Sequence, residues 1–125
     1  DLVYWTDDDG KRHFLGDGLK VPCLISGDIV AICDDFLGKS VFVRDQGGSD
    51  GDIIAIHAHI LPRSMVGDRL ATGDEIGTIA PATRVVPSHL HLSLLRYSPA
   101  LPSWQDMNWQ YLNACDLNMF LNPFI

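Results

Sequence analysis

The sequence predicts a mostly β fold, an antiparallel sandwich or barrel-like sheet with one short C-terminal helix, and three observations carry that prediction. Short apolar runs alternate with polar residues at the period of two that marks a half-buried strand. Turn signals punctuate them: Gly-Asp recurs at 16, 27, 51, 67 and 73, where Gly is expected to supply a positive φ and Asp to bond the neighbouring backbone. Helical spacing appears only near the end, where Trp109, Leu112 and Cys115 fall three residues apart.

Taken in order, residues 1–12 are polar and acidic with Tyr4 and Trp5 as a small anchor, and read as a lead-in arm. In His13-Phe14-Leu15-Gly16-Asp17-Gly18 two glycines around Asp17 disfavour a helix, so His13 and Asp17 are expected to meet through a turn. Strands are then expected at 21–25, 29–33, 41–44, 53–60, 69–71, 76–79 and 89–95. Ser103-Trp104-Gln105-Asp106 reads as an N-cap box that opens the helical tail, 103–125. No linker or low-complexity segment divides the 125 residues, which fits a single domain by size.

Composition narrows the function. Apolar residues make up 46% and charged residues 20%, the balance of a soluble globular chain, and no run reaches the roughly 18 apolar residues of a membrane span. The net charge of -7, from 15 Asp and Glu75 against three Lys and six Arg, argues against nucleic acid and anionic membranes, which select a basic stripe. There is no signal peptide and no initial Met, as in a mature or excised fragment. Cys23, Cys33 and Cys115 are odd in number and lack C-x-x-C spacing, so they read as small buried apolar groups, with a Cys23–Cys33 bridge left open.

The chemistry gathers in histidine pairs. In Pro87-Ser88-His89-Leu90-His91-Leu92-Ser93-Leu94 a strand would put His89, His91 and Ser93 on one face and the leucines on the other. In Ile54-Ala55-Ile56-His57-Ala58-His59-Ile60 it would do the same for His57 and His59. Five histidines scattered over 125 positions would give about 0.2 such pairs, so two demand a reason. Nitrogen and oxygen donors suit zinc, whose catalytic sites keep three protein ligands and one open position. His13 and Asp17 with one distant imidazole would supply such a set. With no H-E-x-x-H and a single Glu, proton transfer would fall to histidine. His57 reads as structural or as a groove residue, Asp34 and Asp35 as a solvated turn before Phe36, and Trp104 and Trp109 as helix packing.

These residues resemble the lysostaphin-like or LytM-type zinc endopeptidases that cut peptide cross-links in bacterial peptidoglycan. The likeness lies in His13-Phe14-Leu15-Gly16-Asp17, in His57-Ala58-His59-Ile60, in Ser88-His89-Leu90-His91-Leu92, and in the turn segment from Val66 to Gly77, with a weaker echo in Phe120-Leu121-Asn122-Pro123. It implies that His13, Asp17 and His91 bind Zn2+, that His89 is the general base, and that His59 stabilises the tetrahedral intermediate. It also implies a duplicated hybrid motif of antiparallel β-strands, a peptidoglycan peptide as substrate, and a secreted, periplasmic or cell-envelope location. His57 stands where tyrosine is common, and residues 80–87 replace a Gly-Thr-rich loop. The alternative is an inactive zinc scaffold that binds or activates another cell-wall hydrolase. A biotinyl or lipoyl carrier fits worse, because Lys11, Lys20 and Lys39 offer no acceptor on a hairpin tip.

Overall fold

The computed structural model describes residues 1–47, 51–97, 103–113 and 120–121. The strands are β1 (Tyr4–Thr6), β2 (Arg12–Phe14), β3 (Lys20–Pro22), β4 (Gly27–Asp34), β5 (Lys39–Asp45), β6 (Ile53–Pro62), β7 (Arg69–Leu70), β8 (Glu75–Ile79), β9 (His91–Arg96) and β10 (Phe120–Leu121). A 3-10 turn at Trp104–Asp106 and one helical turn, α1 (Trp109–Asn113), follow β9. The fold is thus mostly antiparallel β, as the period-two pattern predicts.

One sheet runs in the order β10-β9-β6-β5-β4-β7. Its organiser is β6, ten residues long. One edge of β6 pairs β5 from Ile53 to Ile60. The other edge pairs β9 from Ile53 to Ala58 and then β8 from Ile60 to Pro62, with β3 beyond β8. The sheet therefore splits at His59, where β9 gives way to β8.

The changeover is marked by a β-bulge. Lys39 pairs Ile60 while Val41 pairs His57, so three steps on β6 oppose two on β5. An extra residue reverses the alternation of every side chain beyond it. Before the bulge, Ile54 and Ile56 join Phe42, Leu95, Met107 and Leu112 on one face; after it, Ile60 joins Val21, Ile29, Val41, Val43 and Ile79 on the other. The expected common face for His57 and His59 is consequently absent. His57 stays opposite Val41 and Leu92, and His59 turns over to the side of His91 with φ 65, the only positive φ outside glycine among the described residues.

Other expectations change at the termini. The segment 1–12 is not merely an arm: β1 pairs β2 in a hairpin with Trp5 opposite His13, and Leu2 bridges Leu90. Ser103 bonds Asp106 but opens only the 3-10 turn, because Met107 is extended and buried in the core before α1 begins. Cys23 and Cys33 are free thiols, which removes the bridge left open above. Cys115, Asn122 and Pro123 lie outside the described residues.

Gly51, Gly67 and Gly73 have the positive φ expected at a Gly-Asp turn, whereas Gly16 and Gly27 do not. Gly27 instead begins β4, where a Cβ would run into the Arg44 carbonyl across the ladder. Gly27→Ala is expected to destabilise the chain by about 2 kcal/mol through that overpacking, read as a lower urea midpoint at unchanged slope.

Candidate metal centre

Strand β9 and its lead-in carry two imidazoles. Pairing of Ala58 with His91, Ile56 with Ser93 and Ile54 with Leu95 puts His91 and Ser93 on the face of the second core cluster, while Leu90 and Leu92 pack against the first. That is the division predicted for this strand. His89 precedes β9 and is buried.

Each imidazole is tied back on one nitrogen. His89 Nδ1 lies 2.9 Å from the Pro87 carbonyl oxygen, which only accepts, so Nδ1 carries the proton and Nε2 keeps its lone pair. His91 Nε2 lies 2.8 Å from Ser93 Oγ. His59 Nδ1 lies 3.0 Å from Asp35 Oδ1 as a close contact without hydrogen-bond geometry, and the His59 backbone N–H donates to Asp35 Oδ2 at 3.0 Å. Ring-to-ring distances of 4.6 Å from His59 to His89 and 5.8 Å from His59 to His91 bring the three together.

The fourth member is Asp1. The Leu2–Leu90 bridge carries it to the start of β9, where Oδ1 meets His91 Nδ1 at 2.7 Å and Oδ2 stands 3.9 Å from His89 Nε2. Ligand atoms of Asp1, His59 and His89 lie within 4.8 Å of one another and could hold a metal ion. A carboxylate with imidazoles whose rings are fixed from behind is a donor set that fits a small divalent cation such as zinc. Burial, and then the neighbouring His59, pushes the His91 pKa down and favours the neutral ring that a metal needs.

Beside this group opens a cleft of about 430 Å3 lined by Asp34, Asp35, Phe36, His59, His91 and Trp109. Trp109 meets the His91 ring edge-on at 5.2 Å, and Phe36 lies 4.5 Å from the His59 ring. The Trp109 indole N–H donates to Ser40 Oγ at 2.7 Å, and the Ser40 hydroxyl donates to Asp35 Oδ2 at 2.8 Å. Trp109 is therefore more than helix packing: it walls the cleft.

No family model matches the sequence, and no curated protein matches it. Solved structures do match in shape, among them the following two. Lysostaphin, in solution, aligns with a TM-score of 0.57 at 21% identity over 78% of this chain and 43% of its own. The catalytic domain of the prophage-encoded M23 protein EnpA from Enterococcus faecalis, as a point mutant, aligns at 0.52 and 20% identity over 68% of this chain and 65% of its own. The fold is lysostaphin/LytM-like. At this identity the likeness is one of fold, and the chain spans less than two thirds of the length of either structure.

Of the residues singled out in the sequence, the lysostaphin/LytM-like fold gathers His59, His89 and His91 and leaves His13 and Asp17 elsewhere. His13 stacks on Trp5 at 4.4 Å, and its Nε2 engages Asp7 Oδ2 at 2.7 Å. Asp17 is exposed in the turn before β3. Neither belongs to the candidate metal-holding group or lines the cleft. His57 is a core residue, its Nε2 accepting the Leu24 N–H at 2.9 Å.

Two residues of the site escaped the sequence reading. Asp1 has no neighbouring motif and reaches the site only through a contact spanning most of the chain. Asp35 differs sharply from its neighbour: the Asp34 side chain is 84% exposed and that of Asp35 1%. Asp35-Phe36-Leu37-Gly38 did carry a signal, since Asp35 Oδ1 accepts the N–H groups of Leu37 and Gly38 as an Asx turn. Burial alone would raise the Asp35 pKa, but the His59 imidazole and then the N–H groups of His59, Gly38 and Leu37 outweigh it and hold the carboxyl well below the usual range.

Proposed function

We propose that this chain is a zinc-dependent endopeptidase that hydrolyses peptide bonds in bacterial peptidoglycan, in cross-links or stem peptides, in the cell envelope or outside the cell. The observation that carries the reading is the convergence of His59, His89 and His91, each held from behind, on the Asp1 carboxylate beside an open cleft. The lysostaphin/LytM-like fold and the motif resemblance support it.

Among the described residues, Asp1 and His91 are the proposed protein ligands: His91 is the imidazole that the motif resemblance gives to the metal, and Asp1 is the carboxylate that reaches both His91 and His89. Zinc, when bound, would supply Lewis-acid polarisation of the attacking water and the scissile carbonyl. His89 would take the proton of that water at Nε2, since its Nδ1 is committed to the Pro87 carbonyl. His59, its Nδ1–H turned to Asp35, would face the developing oxyanion with Nε2 and hold it there once that nitrogen is also protonated. Phe36 and Trp109 would line the path of the peptide.

Purified protein is incubated with isolated sacculi and with defined cross-linked peptides, with chelator and after zinc is restored. Cleavage that chelator abolishes and zinc recovers is the expected result. Zinc bound at one equivalent with sacculi left intact would sink the endopeptidase and leave the inactive scaffold.

A further inference from the structure

We propose that Asp35 is the positioning residue of this site: its carboxylate fixes the backbone, ring orientation and proton placement of His59, and ties them to the Trp109 wall of the cleft. The proposal rests on the endopeptidase reading only for its consequence on rate.

Four hydrogen-bond donors and the His59 ring surround the one carboxylate. Oδ1 accepts the Leu37 N–H at 2.9 Å and the Gly38 N–H at 2.6 Å, and stands 3.0 Å from His59 Nδ1. Oδ2 accepts the Ser40 hydroxyl at 2.8 Å and the His59 N–H at 3.0 Å. Only an ionised carboxylate, acceptor on both oxygens, meets such a set without a donor facing a donor. The contact with the His59 N–H matters most. At the bulge that N–H has left the β6 ladder, and a non-glycine residue at φ 65 persists only where its surroundings determine it. Asp35 supplies that determination, and the Ala80 N–H, bonded to the His59 carbonyl at 3.0 Å, holds the other side.

Proton placement follows from the same geometry. His59 Nδ1 is buried and faces an acceptor-only group, so the ring keeps its proton there and offers Nε2 to the cleft. The relay extends outward through Ser40 to the Trp109 indole, which also meets His91. One carboxylate thus sets the spacing between an imidazole on β6 and an aromatic wall from the C-terminal turn.

A plain turn-capping role predicts otherwise. Asn caps an Asx turn as well as Asp, so Asp35→Asn would then be nearly silent. Under positioning, the amide NH2 must oppose either the Leu37 and Gly38 N–H groups together with the His59 ring, or the His59 backbone N–H, so one orientation releases the ring and the other the backbone.

The test is 15N NMR of the histidine rings in the metal-free full chain, wild type and Asp35→Asn. A proton on His59 Nδ1 in the wild type, lost or averaged in Asp35→Asn while the His57 signals stay put, is expected. Wild-type His59 protonated on Nε2 alone, or a His59 spectrum unchanged by the substitution, overturns the proposal. Should Asp35→Asn fail to fold, the wild-type spectrum alone decides. On peptides that the wild type cleaves, kcat should fall on the order of 10- to 100-fold with KM little changed. A wild type that cleaves nothing sinks the endopeptidase reading and leaves the ring spectra to judge Asp35.

Discussion

His91→Ala is expected to lose the metal, whereas His89→Ala keeps it and loses rate by about 10²- to 10⁴-fold. The two imidazoles stand two residues apart but are tied in opposite senses. His91 turns Nδ1 to Asp1 at 2.7 Å and rests Nε2 on Ser93. His89 commits Nδ1 to the Pro87 carbonyl and leaves Nε2 3.9 Å from the Asp1 carboxylate. Removing His91 deletes one of the two proposed ligands, and Asp1→Ala deletes the other, so both variants should be isolated without zinc. Removing His89 takes away a proton acceptor and leaves that pair intact. His13→Ala and Asp17→Ala should keep full metal content, since those side chains belong to the hairpin and to an exposed turn. Metal stoichiometry of the isolated variants, set beside peptide-cleavage rates, checks all five. Equal metal loss from His89→Ala and His91→Ala would overturn the division of roles, and metal loss from His13→Ala would return the ligand set to the one that the motif resemblance implies.

The sheet was legible because period-two alternation survives wherever pairing is regular: the strands expected at 29–33, 41–44 and 53–60 lie within β4, β5 and β6. What was not legible is non-local. A bulge is a mismatch between two strands, so nothing in Ile56-His57-Ala58-His59 announces that His59 will turn over; the pattern of β6 alone predicts the opposite. The hairpin of β1 and β2 was hidden by Asp7-Asp8-Asp9-Gly10, which reads as solvated arm until Asp7 is seen capping the turn through Lys11 N–H and taking His13. The same hairpin explains the displaced ligand expectation. H-x-x-x-D spacing brings His13 and Asp17 near one another in sequence, but β2 stacks His13 on Trp5 and the chain turns away before Asp17. The histidine strand was readable because its two faces differ in chemistry, imidazole against leucine; the carboxylates it meets were not, because Asp1 and Asp35 arrive from elsewhere in the fold.

Acidification should destabilise the chain through His57 first. Its ring is fully buried, accepts the Leu24 N–H on Nε2, and has no hydrogen bond on Nδ1. Burial pushes its pKa from 6.5 down to about 4, since a charged ring there would lose its hydration and its acceptor nitrogen together. The unfolded chain therefore takes up the proton first. Above pH 6.5 the two states are alike at this ring; as pH falls from about 6.5 to about 4 the folded state loses about 3 kcal/mol, and below that the loss levels off. Asp35, whose pKa is depressed, adds a separate loss only below the ordinary carboxylate value of 3.8. His91 also titrates low and contributes in the upper window, so the variant isolates the His57 share. His57→Gln keeps an acceptor for Leu24 and removes the titration. With chelator present throughout, urea unfolding at pH 7 and pH 4.5 should show a much smaller pH dependence in His57→Gln than in the wild type. An equal loss of stability in both proteins would show that the buried ring does not set the acid limit of the fold.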